Sequence, residues 1–141
     1  MTVTIYHNPD CGTSRNVLAV IEAAGYTPHV IPYLSVGWQR EPLLTLFAEA
    51  GLTPRQALRE HKSPAAELGL LDPGVSDEAL IEAMLIHPIL VNRPFVVTPK
   101  GTRLCRPSEV VLDLLERWPA GPFRKEDGAL MIDASGNRIV G

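Results

Sequence analysis

Val3-Thr4-Ile5-Tyr6-His7-Asn8-Pro9-Asp10-Cys11-Gly12-Thr13-Ser14-Arg15-Asn16-Val17-Leu18-Ala19-Val20-Ile21-Glu22-Ala23-Ala24-Gly25 changes its pattern midway, and that change decides the fold. Val3, Ile5 and their neighbours form a short strand-like run that ends near Tyr6. A loop carrying Pro9 and Gly12 follows. Val17, Leu18, Val20, Ile21 and Ala24 then recur at helical spacing, with Gly25 standing where a helix is closed by a C′ glycine. Val30, Ile31 and Tyr33 suggest a second strand. The opening is therefore β-loop-α-β, a unit that makes a parallel strand pair through a right-handed crossover.

Outward from this unit, the middle of the chain reads as helices. Leu43, Leu44, Leu46, Phe47 and Ala50 give an apolar stripe closed by Gly51. Thr53-Pro54 is an N-cap with proline at N1 and predicts a short helix carrying Arg59; Ser63-Pro64 repeats the signal. Ser76 caps a helix with Leu80, Ile81, Met84 and Leu85, stopped before Pro88. Phe95-Val96-Val97-Thr98 and Arg103-Leu104-Cys105 then flank a turn, which predicts a β-hairpin, and Pro107-Ser108-Glu109 opens a last helix. The order β-α-β then β-β-α predicts an α/β thioredoxin-like core with a mixed sheet. It is expected as a single domain over 1–141, with a helical insertion at about 35–88 and a C-terminal extension at about 119–141. That tail is less periodic and is expected to lie over the domain surface or to be partly mobile.

Composition limits the function classes. With 45% hydrophobic and 21% charged residues the chain is ordinary for a globular protein. A chain of this length buries roughly 68–70% of its unfolded surface, so disulfides or structural metals are not needed for stability. The net charge of −3 and the pI near 5.8 argue against a broad nucleic-acid surface. No apolar run approaches the ~18 residues of a membrane span, and the first residues have neither a basic n-region nor a long apolar stretch. Two cysteines, Cys11 and Cys105, make no disulfide scaffold. A reducing cytoplasm is the expected location.

Cys11 stands where the first strand gives way to the first helix. Unpaired N–H groups and the positive dipole end in a helix's first turn favour a thiolate and a bound anion. Its neighbours Asp10, Gly12, Thr13 and Ser14 are small or polar, so an accessible, reactive thiol is expected rather than a buried one. The residue three positions on is Ser14, so Cys11 has no in-motif disulfide partner, and a resolving thiol must come from elsewhere. Ser14, Asn8 and His7 are candidate donors to the thiolate or to an oxyanion; His7 reads equally as a strand-end surface residue. Asp10 is expected to face solvent. Histidines 29, 61 and 87 lack ligand spacing, so no metal site is expected. No phosphate-binding glycine loop or dinucleotide fingerprint occurs.

Three blocks together resemble a known family. Ile5 to Asn16, His87-Pro88-Ile89-Leu90-Val91-Asn92-Arg93-Pro94, and Gly101 to Asp113 with its Leu104-Cys105-Arg106-Pro107 core are similar to the glutaredoxin-coupled arsenate reductases. The likeness runs from Val3 to about Asp127, insertion included. It implies that Cys11 is the nucleophile and that arsenate is held by Arg59, Arg93 and Arg106, whose guanidinium forks suit a tetrahedral oxyanion. It also implies that Pro94 is cis and faces the cysteine. Glutathione as co-substrate and glutaredoxin as partner are implied next, with no bound cofactor, metal, flavin or nicotinamide, and with neither nucleic acid nor membrane as partner. Arg40, Arg55, Arg117 and Arg124 read as solvated charges. Arg15 is either solvated or a contact for a thiol donor, and Cys105 reads as a packed strand cysteine. The rival reading is a Spx-type redox regulator that binds RNA polymerase. Arg106, and Ser14 where a disulfide switch needs cysteine, favour the reductase.

Overall fold

A computed structural model describes residues 1–139. Strands β1 (Thr4–Tyr6) and β2 (His29–Ile31) flank helix α1 (Gly12–Ala23) and pair in parallel, Ile5 opposite Val30. Helices α2 (Tyr33–Val36), α3 (Arg40–Ala50), α4 (Pro54–Ala57) and α5 (Asp77–Ile86) follow, with a 3-10 segment at Pro88–Leu90. Strands β3 (Phe95–Thr98) and β4 (Gly101–Leu104) complete a four-stranded sheet in the order β2-β1-β3-β4, β3 running antiparallel to β1 and to β4. This is the expected α/β thioredoxin-like core. Among the described residues no helix is long and apolar enough to cross a membrane.

Local chemistry sets the boundaries. Gly51 closes α3 in the left-handed region at φ 69°, where a side chain would be strained. Thr53 and Gln56 form a reciprocal capping box on α4. Ser76 accepts the Ala79 N–H at the start of α5, with Asp77 and Glu78 in the dipole-favoured first turn.

Strand alternation sorts side chains to two faces. Ile5 and Val96 face a cluster built with Val17, Val20 and Ile21 of α1 and with Val111 and Leu112. Tyr6, Phe95, Val97 and Leu104 face the other cluster, made by Leu43, Phe47, Leu80 and Met84 of the insertion. The insertion is thus the second cover of the sheet.

The structure corrects five expectations. The last helix is a 3-10 helix, Ser108–Leu114. Arg59 lies outside α4: its N–H donates to the Leu90 carbonyl and Leu58 bridges to Val91, so the chain is already extended there. Ser63-Pro64 opens a run of turns, its hydroxyl bonding the Arg59 carbonyl, and Tyr33 begins α2 instead of continuing β2. The tail is no surface cover. It forms a second sheet of β5 (Phe123–Arg124) and β6 (Leu130–Ile132), and Met131 and Ile132 are fully buried in the α1-side core. An apolar run as short as Ala129–Ile132 carries too little periodicity to reveal such packing.

Candidate active site

The loop from His7 to Cys11 leaves the C-terminal end of β1. His7 N–H donates to the Ile31 carbonyl, 2.9 Å, tying the loop to the end of β2. Cys11 N–H donates to the Asn8 carbonyl at 3.1 Å and Asp10 N–H to Asn8 Oδ1 at 2.9 Å, a tight turn that delivers Cys11 to the N-cap of α1. Ser14 Oγ accepts the Asn8 N–H at 3.0 Å and is hydrogen-bonded to His7 Nδ1 at 2.6 Å. Burial first, then the nearby Arg15 charge, lowers the His7 pKa, while Glu22 opposes this. His7, Asn8 and Ser14 therefore brace the loop, and none of their side-chain hydrogen bonds reaches the sulfur. Asp10 is exposed, as expected.

Cys11 itself departs from expectation: it is only 6% exposed. The cause is tertiary. Arg106, following β4, reaches across with Nη1 3.8 Å from Cys11 Sγ and also donates to the Arg93 carbonyl at 3.2 Å. Burial alone pushes the thiol pKa up. The Ser14 backbone N–H, the Arg93 charge and the guanidinium contacts from Arg106 and Arg93 outweigh it, and the net effect is a lowered pKa. The sulfur is sheltered and yet more acidic than an ordinary thiol.

Arg59 and Arg93 come from paired extended segments: Arg59 N–H donates to Leu90 and Asn92 N–H to the Ala57 carbonyl. Arg59, Arg93 and Arg106 share the wall of a cavity of about 360 Å³, with Lys62 and Glu60 from the adjoining loop. Lys62 turns that loop with φ 56°. Pro94, buried, follows Arg93 through a cis bond. The fixed contacts of these arginines go to neutral oxygens: Arg59 Nε to His61 O, Arg93 Nη1 to Asn92 Oδ1, Arg106 Nη1 to Arg93 O. Among the described residues none of the three is in an ion pair with a carboxylate. Arg15, by contrast, grips Glu126 with two nitrogens, and Arg40, Arg103 and Arg138 each have acidic partners. Burial, then repulsion from Arg93, lowers the Arg59 pKa. Three guanidiniums that make no carboxylate ion pair among the described residues, beside an acidified thiol, make a site complementary to a small anion with several oxygens.

Other cationic residues sort differently from the reading of solvated charges. Arg55 donates to the Leu70 and Asp72 carbonyls and so fastens the turns after α4. Arg117 donates to the Ala24 carbonyl and lies over the Tyr26 ring at 4.5 Å. Cys105 is fully buried, its pKa pushed up to about 12 by burial above all, as fits a packed thiol. The sequence reading missed Tyr33 as a site residue. It lies outside the cavity wall, fully buried, with Arg93, Arg59 and Cys11 all acting on its phenol and its hydroxyl without a hydrogen-bond partner among the described residues, and no local pattern marks an aromatic two residues past a strand end as functional.

The ArsC family model matches residues 6–114, from β1 through the 3-10 helix. An arsenate reductase of Synechocystis sp. is 67% identical over 137 residues, covering 97% of this chain and 98% of that protein. An arsenate reductase of Rhizobium meliloti is 64% identical over 140 residues, covering 99% of this chain and 100% of the relative. Among solved structures, an arsenate reductase from Vibrio cholerae superposes with TM-score 0.77 at 43% identity, covering 82% of this chain and 98% of that one.

Proposed function

Given that the chain belongs to the ArsC family, we propose that it reduces arsenate to arsenite with Cys11 as nucleophile and with glutathione and glutaredoxin as the external thiols. The observation that carries this reading is the meeting of a sheltered, acidified thiol with three guanidiniums that make no carboxylate ion pair among the described residues. The relatives bearing the name arsenate reductase support the choice of oxyanion.

In the first step the Cys11 thiolate attacks arsenic, forming an S–As bond while one arsenate hydroxyl takes a proton from solvent and leaves as water. Arg59, Arg93 and Arg106 hold the remaining oxygens and offset the repulsion between two anions. A second thiol, glutathione, then attacks the adduct. The two electrons that take arsenic from the +5 to the +3 state come from two thiols, which end as a disulfide, and glutaredoxin passes on that oxidation. Summed over the cycle, one arsenate and two thiols give arsenite, a disulfide and water. The chain's own residues supply the nucleophile, the anion cradle and shelter; the electrons enter through thiols, with no bound cofactor.

Ser14 stands where an in-motif partner cysteine would be, and the Cys105 thiol is packed and pushed up to about 12. Both features support an external resolving thiol. The test is arsenite release with glutathione and glutaredoxin added together and singly. Turnover should need both and should vanish in Cys11→Ser. Appreciable turnover by Cys11→Ser would overturn the nucleophile. Arsenite release by the pre-reduced protein alone, with a Cys11–Cys105 disulfide detected by mass spectrometry, would overturn the external-thiol route.

A further inference from the structure

Two donor atoms in this site are buried and unpaired. One is Arg93 Nε; the other is the hydroxyl of Tyr33, a residue only 1% exposed. The remaining orphan, Glu109 Oε1, lies elsewhere, on a carboxylate whose other oxygen pairs with Lys125. Folded proteins seldom leave buried polar groups without partners, and each exception calls for an explanation, a functional role among them.

Tyr33 is held rigidly. Its ring stacks on Trp38 at 5.2 Å, Trp38 stacks on Tyr6 at 5.1 Å, and the Trp38 indole N–H donates to the Pro88 carbonyl at 3.3 Å. The residue leaves β2 two positions after Ile31, whose carbonyl anchors the start of the Cys11 loop. Burial raises the phenol pKa, while Asn8, Arg93 and Arg59 pull it back and Cys11 opposes them, so the hydroxyl feels the whole site. The Asn8 amide acts on the phenol without forming a hydrogen bond to its hydroxyl among the described residues. The Tyr33 proton is thus the donor left without an acceptor.

We propose that Tyr33 is a further substrate-binding residue, donating its hydroxyl proton to an oxygen of the oxyanion held at Cys11, beside Arg93 Nε. The inference rests on the arginine site being the oxyanion site. A neutral donor adds a directed bond without adding to the repulsion among three guanidiniums. Neither donor atom is open to water, so the side chains around them part for the anion to reach these donors.

Tyr33→Phe keeps the ring and its stack and removes only the hydroxyl. Arsenate binding is measured by titration calorimetry in a Cys11→Ser background, where no adduct forms, alongside Arg59→Ala and Arg93→Ala in the same background. Tyr33→Phe should weaken arsenate binding roughly tenfold, the scale of one charge-assisted hydrogen bond. Its melting temperature without ligand should stay level or rise, because an unpaired buried hydroxyl does not stabilise the free protein. Arsenate affinity equal to the parent, or a lowered melting temperature with unchanged affinity, would overturn the tyrosine's role while the arginine variants still lose binding. If the arginine variants also bind normally, the oxyanion reading falls and the tyrosine proposal with it. Should Tyr33→Phe fail to fold, 3-fluorotyrosine at position 33 gives a second readout: its fluorine resonance should shift on adding arsenate, and an unmoved resonance counts against the bond.

Discussion

Arg106→Ala removes the guanidinium that covers the nucleophile, and its effect can be sized from the contact. Two unit charges 3.8 Å apart attract by roughly 1 kcal/mol in water and roughly 4 kcal/mol at an effective dielectric constant near 20. The sulfur is buried but Arg106 is exposed, which puts the loss in the lower part of that range, about 1–2 kcal/mol. A change of that size lowers the thiolate fraction about 5- to 30-fold at a pH below the thiol pKa. The remaining thiolate is more basic and more nucleophilic, with a Brønsted coefficient of about 0.4–0.5, so roughly half the effect in logarithmic terms survives in the rate. Iodoacetamide should therefore alkylate Cys11 about two- to sixfold more slowly in Arg106→Ala at a pH below the parent's thiol pKa. At high pH, where both thiols are ionised, the variant should react as fast or faster. The crossover is the signature. Cys105→Ser serves as the common background, and Arg124→Ala, whose guanidinium bonds the Gly128 carbonyl, as the control. A variant whose rate-pH profile overlays that of the parent, or a control that shifts equally, would refute the electrostatic account of this thiol.

Met131, fully buried among α1-side residues, should cost about 2–5 kcal/mol on change to alanine, read from urea unfolding; a loss under about 0.5 kcal/mol would mean the tail merely lies on the surface. The two thiols should act on stability with opposite sign. Cys105 keeps its proton in the folded state after the unfolded chain has lost it, so stability should fall as pH rises from about 9 towards about 12, and less so in Cys105→Ala. The lowered thiol of Cys11 binds fewer protons folded than unfolded, so stability should rise with pH through the window below the ordinary thiol value and be lost as pH falls through the folded pKa. Saturating arsenate at about 100 times its Kd should add roughly 2.7 kcal/mol, seen as a melting-temperature increase in Cys11→Ser that disappears in Arg59→Ala.

Features set by neighbours in the chain were legible in the sequence. Thr53, Ser76 and Gly51 act within one helical turn, and the β1-α1-β2 crossover follows from periods that change at Cys11. The arginines were legible mainly through resemblance: Arg93 and Arg106 each stand before a proline at the edge of an element, whereas nothing near Arg59 separates a cradle residue from a surface one. Burial of Cys11 was misjudged since its cover comes from a residue 95 positions away. The same distance problem hid Met131, whose packing partners lie in α1 and the 3-10 helix, and Arg55, which closes turns 15 to 20 residues on. Tyr33 escaped for another reason: an unsatisfied hydroxyl is a property of a three-dimensional environment, and the same letter in a strand would carry no such meaning.

The stack of Tyr6, Trp38 and Tyr33 gives the protein an optical gauge. Of its two tryptophans, Trp118 is 39% exposed, whereas Trp38 is clamped between two phenols, one of them facing the anion site. Trp118 therefore emits as a solvated indole, and the shorter-wavelength part of the fluorescence belongs to Trp38. Any shift of Tyr33 changes the ring that quenches and orients this emitter, so occupancy of the site can be followed by light on the unlabelled chain, with Trp118→Phe leaving a single reporter.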